Sequence, residues 1–320
     1  MVSLIPILYV LTGLVILTFG GDRLIQGAVE LAMRFKVSPL FIGITVVAAG
    51  TSLPELLVSV IAQVEGKSGL SIGNVIGSNI FNIALVLGWV LIWTRKKFNS
   101  PGAFEILGLL LGTSGLTMFL FLNQDAAGNT VITAPIGILL EILFLILLCL
   151  TLRNGKKNPA TEEVAQLAKG SGTLSIVSSL TLGIIGLWLG AQLLVKGSVA
   201  LAALLGVSDT TIGLTLVAAG TGAPELFASI AAIRKGTSAM AIGNVVGSNL
   251  FNTLVIVGVA VLVRPLTVNL PELKNDLMVN FGLTIFICIL IIPGLSSRTR
   301  SLIGVVFLVT YLVWLGSILF

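Results

Sequence analysis

The chain has 320 residues, of which 56% are hydrophobic and 10% are charged, and its mean hydropathy is +1.12. Soluble domains are about 45–50% apolar and about 25% charged, so this composition excludes a soluble protein and indicates an integral membrane protein. The formal net charge of +5 does not indicate a nucleic-acid partner, because basic residues in a membrane protein record its orientation in the lipid bilayer.

About ten apolar stretches follow one another along the chain, each long enough to cross a hydrocarbon core. Apolar runs of this length satisfy their backbone hydrogen bonds in lipid only as helices, so we predict an all-α fold. The predicted spans are residues 5–32, 39–64, 70–93, 103–122, 134–152, 174–204, 211–233, 240–263, 277–293 and 302–320.

The basic residues of the predicted loops are distributed unevenly between the two sides of the membrane. When the spans alternate, one side receives most of them and the other receives only Lys67, Arg264 and Lys274. Because the basic side faces the cytoplasm, we predict a protein of the cell membrane with both termini outside.

An internal repeat relates the two halves of the chain. FIGITVVAAGTSLPELLVS (41–59) matches TIGLTLVAAGTGAPELFAS (211–229), and LSIGNVIGSNIFNIALVLG (70–88) matches MAIGNVVGSNLFNTLVIVG (240–258). We therefore divide the chain into a first repeat (1–152), a cytoplasmic linker (153–172) and a second repeat (173–320). Five spans per repeat is an odd number, so the two copies are inverted, which is typical of secondary transporters that bind substrate at the midplane.

Each repeat places a glutamate directly behind a proline inside an apolar span. Pro54 precedes Glu55 and Pro224 precedes Glu225. Proline lacks an N–H and clashes with the carbonyl four residues back, so we predict interrupted helices with freed backbone oxygens near Ala48–Thr51 and Ala218–Thr221. Irregular backbone at membrane depth is tolerated only where it is buried in protein or lines a hydrated cavity.

Helical spacing adds further oxygen donors to each glutamate. In the first repeat, two sets of polar residues recur at four-residue intervals and so share one helix face each: Thr51, Glu55 and Ser59, and Asn74, Ser78 and Asn82. The second repeat has the same two sets, Thr221, Glu225 and Ser229, and Asn244, Ser248 and Asn252. Carboxylate, hydroxyl, amide and carbonyl oxygens suit calcium better than zinc or copper. We interpret Ser59 and Ser229 as packing residues, and Asn74, Asn79, Asn244 and Asn249 mainly as polar contacts between helices.

Two buried carboxylates also suggest a coupling rule. An ionised carboxylate at the bilayer centre costs about 2.5–3.5 kcal/mol, so an empty site is harder to move across the membrane than an occupied one. One divalent cation, two or more monovalent cations or two protons would each neutralise the pair. A protein that carries one of these occupants in one direction and another in the return direction is an exchanger.

These motifs resemble the cation/calcium exchanger superfamily and, within it, the sodium/calcium exchangers of the short prokaryotic type. The matching patterns are G-T-S-x-P-E and G-N-x-x-G-S-N-x-x-N, and the resemblance extends over essentially the whole chain. It implies a ten-helix antiporter without a cofactor, functional as a monomer, in which Na⁺ entering down its gradient drives electrogenic Ca²⁺ extrusion with about three Na⁺ per Ca²⁺.

The resemblance also implies roles for individual residues. Calcium would be bound by Glu55, Glu225 and the carbonyls of Thr51 and Thr221. Sodium would use the glutamates together with Ser52, Ser78, Ser248 and the carbonyls of Ala48 and Ala218, and Asn82 and Asn252 match polar positions near the centre. One departure is that Gly222 stands where the first repeat has Ser52, so a hydroxyl of one sodium site is missing.

Three other functions are compatible with parts of the sequence. Proton/calcium exchange is the principal alternative, although the motif residues Thr51 and Thr221 favour sodium. A passive cation channel also places acids in a membrane pore. An intramembrane protease is disfavoured, because the chain has no histidine and its buried acids lie in helix breaks suited to ion ligation, so we expect no enzymatic activity.

Overall fold

The computed structural model describes residues 4–94, 103–157, 172–204, 218–292 and 294–319, and it is predominantly helical. The helices of the first half are α1 (Leu4–Phe35), α2 (Pro39–Thr51), α3 (Leu53–Val64), α4 (Ser68–Trp93), α5 (Ala103–Leu122) and α6 (Ala134–Lys157). The helices of the second half are α7 (Thr173–Leu204), α8 (Ala218–Thr221), α9 (Ala223–Arg234), α10 (Ser238–Val263), α11 (Leu270–Ile287) and α12 (Ser297–Leu319).

Several helices are long and apolar enough to cross a membrane. Within the described residues there are seven such helices, or eight when α2 and α3, which meet at a bend of 47°, count as one broken span. The apolar part of α5, Ile106–Leu122, is slightly shorter. The chain is therefore a multi-pass helical membrane protein, and the first residues of the predicted span 211–233 lie outside the described part.

Two predicted spans begin later in the sequence than the helices they correspond to. α11 begins at Leu270, where Asn269 donates a side-chain hydrogen bond to Glu272 and Pro271 occupies the first turn. α12 begins at Ser297. The polar residues at these helix ends can lie in the aqueous interface, so hydropathy alone places the starts too late.

A short antiparallel β-ribbon is the one departure from an all-helical description within these residues. β1 (Asn129–Ile132) pairs with β2 (Leu266–Asn269), with Asn129 opposite Asn269 and Ile132 opposite Leu266. Both strands must lie on the same side of the membrane. An even number of crossings must therefore separate them, as the predicted spans 134–152, 174–204, 211–233 and 240–263 require.

Helices α4 and α10 form the interior, while α1, α6, α7 and α12 leave large apolar side chains exposed on the surface that would face lipid. α1 and α7 pack backbone to backbone along their length: a Cβ built on Gly13 would lie 2.7 Å from the amide nitrogen of Leu194, and one on Gly183 would lie 2.5 Å from that of Leu24. Only a residue without a side chain permits this approach.

The two repeats contact each other through glycines of α10. A Cβ on Gly243 would lie 2.6 Å from the carbonyl oxygen of Leu40, and one on Gly247 would lie 2.4 Å from that of Ile44. These two glycines of the second repeat therefore pack against α2 of the first repeat.

Candidate functional site

The predicted helix breaks lie directly in front of the two glutamates. Ser52 separates α2 from α3 with φ −84° and ψ 6°, and Gly222 separates α8 from α9 with φ −81° and ψ −3°. Glu55 and Glu225 consequently fall in the first turns of α3 and α9. The unpaired N–H groups at a helix N-terminus favour negative charge at that position.

Both carboxylates are buried without a basic partner. Glu55 is 1% exposed and Glu225 is 0% exposed. In the described part of the chain, no salt bridge to Lys or Arg reaches either side chain, and no group of three or more His, Cys, Asp and Glu forms a metal cluster. A buried carboxylate needs either a proton or a positively charged partner, so the pair is suited to binding cations or protons.

Hydroxyl groups from both repeats lie close to Glu225. Ser52 Oγ donates to Glu225 Oε1 at 3.1 Å, and Ser248 Oγ lies 3.5 Å from the same oxygen. Thr51 Oγ1 is 3.4 Å from Ser248 Oγ and 3.2 Å from Asn244 Oδ1. The structure therefore brings together Thr51, Ser52, Ser248 and Glu225, four residues that the sequence places in one site.

Several predicted ligand atoms have no hydrogen-bond donor among the described residues. These buried oxygens are Glu55 Oε1 and Oε2, Glu225 Oε2, Asn82 Oδ1 and Asn252 Oδ1. Ser78 is also buried, at 5% exposure, whereas Thr221 is half-buried at the end of α8 and Ala218 begins that helix. Buried polar oxygens are normally hydrogen-bonded, so a set of unpaired carboxylate and amide oxygens is suited to coordinating cations.

Two asparagines position the glutamates in the same way in both repeats. Asn74 Nδ2 donates to the Glu55 carbonyl at 3.1 Å and to Ser59 Oγ at 2.9 Å. Asn244 Nδ2 donates to the Glu225 carbonyl at 3.2 Å and to Ser229 Oγ at 3.0 Å. Sequence reasoning assigned these residues to helix contacts and missed that the contacts hold the glutamate backbone; the four-residue spacing to Ser78 and Ser248 was the available signal.

The prediction that the break frees the Ala48 carbonyl is wrong for this structure. Ala48 O accepts hydrogen bonds from Ser52 N at 2.9 Å and from Thr51 Oγ1 at 3.2 Å. The N–H that Pro54 lacks would have bonded the carbonyl four residues earlier, which belongs to Gly50. Ala48 could bind an ion only after the Thr51 hydroxyl turns away.

A network of amides joins α4 to α10 beside these oxygens. Asn79 Nδ2 donates to Thr253 Oγ1 at 2.9 Å, and Asn252 Nδ2 donates to Asn79 Oδ1 at 3.2 Å. Asn249 Nδ2 donates to the Asn79 carbonyl at 3.1 Å. The predicted role of Asn79 and Asn249 as contacts between helices is confirmed. The hydrogen bond from Asn252 to Asn79 Oδ1 turns the amide nitrogen of Asn252 toward Asn79.

The surroundings of the two breaks differ at their outer flanks. A cavity of about 250 Å³ lies between α7 and the first break, with Thr51, Pro54, Leu57, Trp188 and Pro224 among the residues in its wall. At the equivalent position of the second repeat, α1 packs directly on α9, where a Cβ on Gly21 would lie 2.8 Å from the Phe227 carbonyl oxygen. A cavity therefore flanks the first break on the α7 side, whereas α1 packs closely against the helix that follows the second break.

Unpaired buried carboxylates at duplicated helix breaks, within a multi-pass helical membrane protein, define a cation transporter. The family described as "Sodium/calcium exchanger protein" matches residues 5–153 and 175–320. The chain belongs to this family, whose members are transporters.

Similar proteins cover nearly the whole chain. The sodium/calcium exchanger MaX1 of Methanosarcina acetivorans is 30% identical, covering 96% of this chain and 97% of its own length. An uncharacterized membrane protein of Methanocaldococcus jannaschii is 36% identical, with 97% of each chain covered. A solved structure of the sodium-calcium exchanger NCX_Mj, soaked with Na⁺ and Ca²⁺, is similar with a TM-score of 0.83, 33% identity and 99% of each chain covered.

Proposed function

We propose that this chain exchanges Na⁺ for Ca²⁺ across the membrane by alternating access, with Glu55 and Glu225 as ligands shared by both ions. The observation that carries the proposal is the pair of buried carboxylates without a basic partner, each in the first turn after a helix break. One Ca²⁺ or several Na⁺ would supply the missing positive charge, so the occupied site could move through the barrier more easily than the empty one.

The remaining ligands are oxygens within the same region. Their type matches the hard oxygen donors that calcium and sodium take. The proposed ligands are Ser52, Ser78 and Ser248, Asn82 and Asn252, the carbonyls of Thr51 and Thr221 and, after rearrangement of Thr51, the carbonyls of Ala48 and Ala218.

The proposed architecture has ten spans in two inverted repeats, 1–152 and 173–320, joined by the cytoplasmic linker 153–172, with both termini outside and a monomer as the functional unit. The placement of β1 and β2 on one side supports the number of crossings between them. In this orientation the ribbon lies outside.

Sodium is favoured over protons as the coupling ion. MaX1 is named as a sodium/calcium exchanger, and the NCX_Mj structures were obtained after soaking with Na⁺ and either Ca²⁺ or Sr²⁺. Hydroxyl donors such as Ser52 beside Glu225 can turn their oxygens toward a sodium ion and coordinate it. Exchange of three Na⁺ for one Ca²⁺ would move one net charge per cycle.

Calcium uptake into proteoliposomes tests the proposal. Vesicles loaded with Na⁺ and diluted into Na⁺-free medium should accumulate ⁴⁵Ca²⁺, and a potassium-clamped voltage should change the rate. A pH gradient alone should not drive uptake. Uptake driven only by the pH gradient would identify a proton/calcium antiporter, and uptake that needs no counter-ion inside the vesicle would identify a channel.

A further inference from the structure

Gly222 stands at the second helix break where the first break has Ser52. An aromatic ring occupies the space that a side chain at position 222 would need. A Cβ built on Gly222 would lie 2.5 Å from Phe81 Cδ1 and 2.6 Å from Phe81 Cε1. These distances are too short for any real side chain. Gly222 is thus required by the position of Phe81, and the two residues form a complementary pair across the repeats.

The ring is held firmly in place. Phe81 is 6% exposed and packs edge to face against Tyr311 of α12, with ring centroids 5.8 Å apart and an interplanar angle of 81°. Edge-to-face pairs of this geometry contribute about 0.5–1.5 kcal/mol beyond the area they bury. Moving the ring away from Gly222 would break this pair.

The break of the first repeat provides an internal reference. The repeat counterpart of Phe81 is Phe251, in the second repeat, which also makes an edge-to-face pair, with Phe144, at 6.0 Å and 82°. The counterpart of Gly222 is Ser52, whose hydroxyl donates to Glu225. The phenylalanine is thus common to both repeats, whereas the serine stands only at the first break.

The absence of a hydroxyl at position 222 affects the surroundings of Glu55. The repeat relation directs a hydroxyl at 222 toward Glu55, as the hydroxyl of Ser52 is directed toward Glu225. In its place stands the edge of a phenyl ring, which carries partial positive charge and cannot coordinate a cation. Both carboxylate oxygens of Glu55 are buried, and no described residue donates a hydrogen bond to them. With ring atoms 2.5 and 2.6 Å from the Cβ position of Gly222, that position cannot hold a water molecule either.

We propose that the Phe81–Gly222 pair sets the sodium affinity of the exchanger, by removing a hydroxyl ligand and excluding water on the Glu55 side while leaving the Glu225 side intact. Sodium binds tightly on the Glu225 side and weakly on the Glu55 side. Calcium depends less on this pair, because it takes both carboxylates together. The inference rests on the proposed sodium/calcium exchange and names the residues that determine its sodium dependence.

The test compares four variants in Na⁺-driven ⁴⁵Ca²⁺ uptake, recording half-saturation for Na⁺ and for Ca²⁺ separately. The paired change Phe81→Ala with Gly222→Ser restores the hydroxyl and the space for it. We expect it to lower the Na⁺ concentration for half-saturation by about tenfold, the value of one hydrogen-bond-type contact to a charged group, and to steepen the Na⁺ dependence. Half-saturation for Ca²⁺ should change by less than about twofold.

Three single changes complete the comparison. Gly222→Ser alone should reduce transport strongly, because its Cβ and the ring cannot share the space. Ser52→Gly, the mirror-image change, should raise half-saturation for Na⁺ by about tenfold, since it removes the hydroxyl on the other side. Phe81→Leu keeps an apolar side chain but opens room for water beside Gly222, and it should lower half-saturation for Na⁺.

The outcomes separate the two proposals. Absence of Na⁺-driven uptake in the unmodified protein would refute the proposed function itself. With that uptake present, an unchanged Na⁺ dependence in the paired variant would refute the role of the Phe81–Gly222 pair. If the paired variant does not fold, Phe81→Leu decides, because an unchanged half-saturation for Na⁺ in that variant also refutes the role.

Discussion

The surroundings of Glu225 and Glu55 differ although the backbone around them is duplicated. Both glutamates follow a helix break with nearly the same dihedral angles, and both have their carbonyl held by an asparagine. Glu225 accepts hydrogen bonds from two serines, whereas no described residue donates to the Glu55 carboxylate, and a phenyl ring lies against Gly222 at the second break. The repeat thus preserves the scaffold that places the charges, while single side chains decide what each charge can bind.

Removing either charge should have the largest effect. Glu55→Gln and Glu225→Gln each leave one carboxylate to bind an ion that needs two, so Na⁺-driven Ca²⁺ uptake should fall by at least about a hundredfold, equivalent to about 2.7 kcal/mol. Glu141→Gln is the matched control, because Glu141 lies in α6 away from the breaks and should retain transport. Full activity in either site variant would contradict the account.

The flanks of the site provide the next comparison. Gly21→Val would force a side chain against the Phe227 carbonyl and push α1 from α9, so transport should fall about tenfold through overpacking of 1–3 kcal/mol. The repeat counterpart Ala191 already carries a methyl group, and Ala191→Val should lower transport by less than about threefold. Equal effects of the two changes on calcium uptake would show that the flanks do not differ functionally.

Removing the asparagines that bond to the glutamate carbonyls should reduce transport less than removing the carboxylates. Asn244→Ala leaves the Glu225 carbonyl and Ser229 without their donor, which costs about 1–3 kcal/mol, and Ca²⁺ affinity should weaken about fivefold. Asn74→Ala should weaken it similarly, because the contacts are the same in both repeats. Asn123→Ala, in an exposed segment, is the control. Unaltered calcium titration curves in both asparagine variants would show that these hydrogen bonds do not support calcium binding.

The smallest expected effect concerns a contact present in only one repeat. Gln63 Nε2 donates to the carbonyls of Arg264 and Pro265 at 2.8 and 3.0 Å, whereas its repeat counterpart is Ile233. Gln63→Leu should lower the thermal unfolding midpoint in detergent by about 2–4 °C, because a hydrogen-bonded tie to the segment before β2 is lost, and should leave transport nearly unchanged. A midpoint equal to that of the unmodified protein would show that this tie is not stabilising.

The sequence predicts the parts of this protein that depend on local rules. Proline at 54 and 224 predicts the breaks, and the doubled motif singles out Glu55 and Glu225, which are buried. The β-ribbon is not predictable from hydropathy, because its strands are four residues long and pair across a separation of more than 130 residues. The same limit applies to Phe81, whose ring meets Gly222 only through the crossing of two repeats. The Ala48 carbonyl is hydrogen-bonded and not freed, because the N–H that Pro54 lacks would have bonded Gly50.

Titration calorimetry of the purified protein with Ca²⁺, in the absence and presence of Na⁺, tests the central claim most directly. The account predicts one Ca²⁺ bound per chain, weaker apparent Ca²⁺ affinity as Na⁺ rises, and loss of the heat in both Glu55→Gln and Glu225→Gln. Calcium binding that Na⁺ does not displace, or that survives in both variants, would contradict a single two-carboxylate site shared by the two ions.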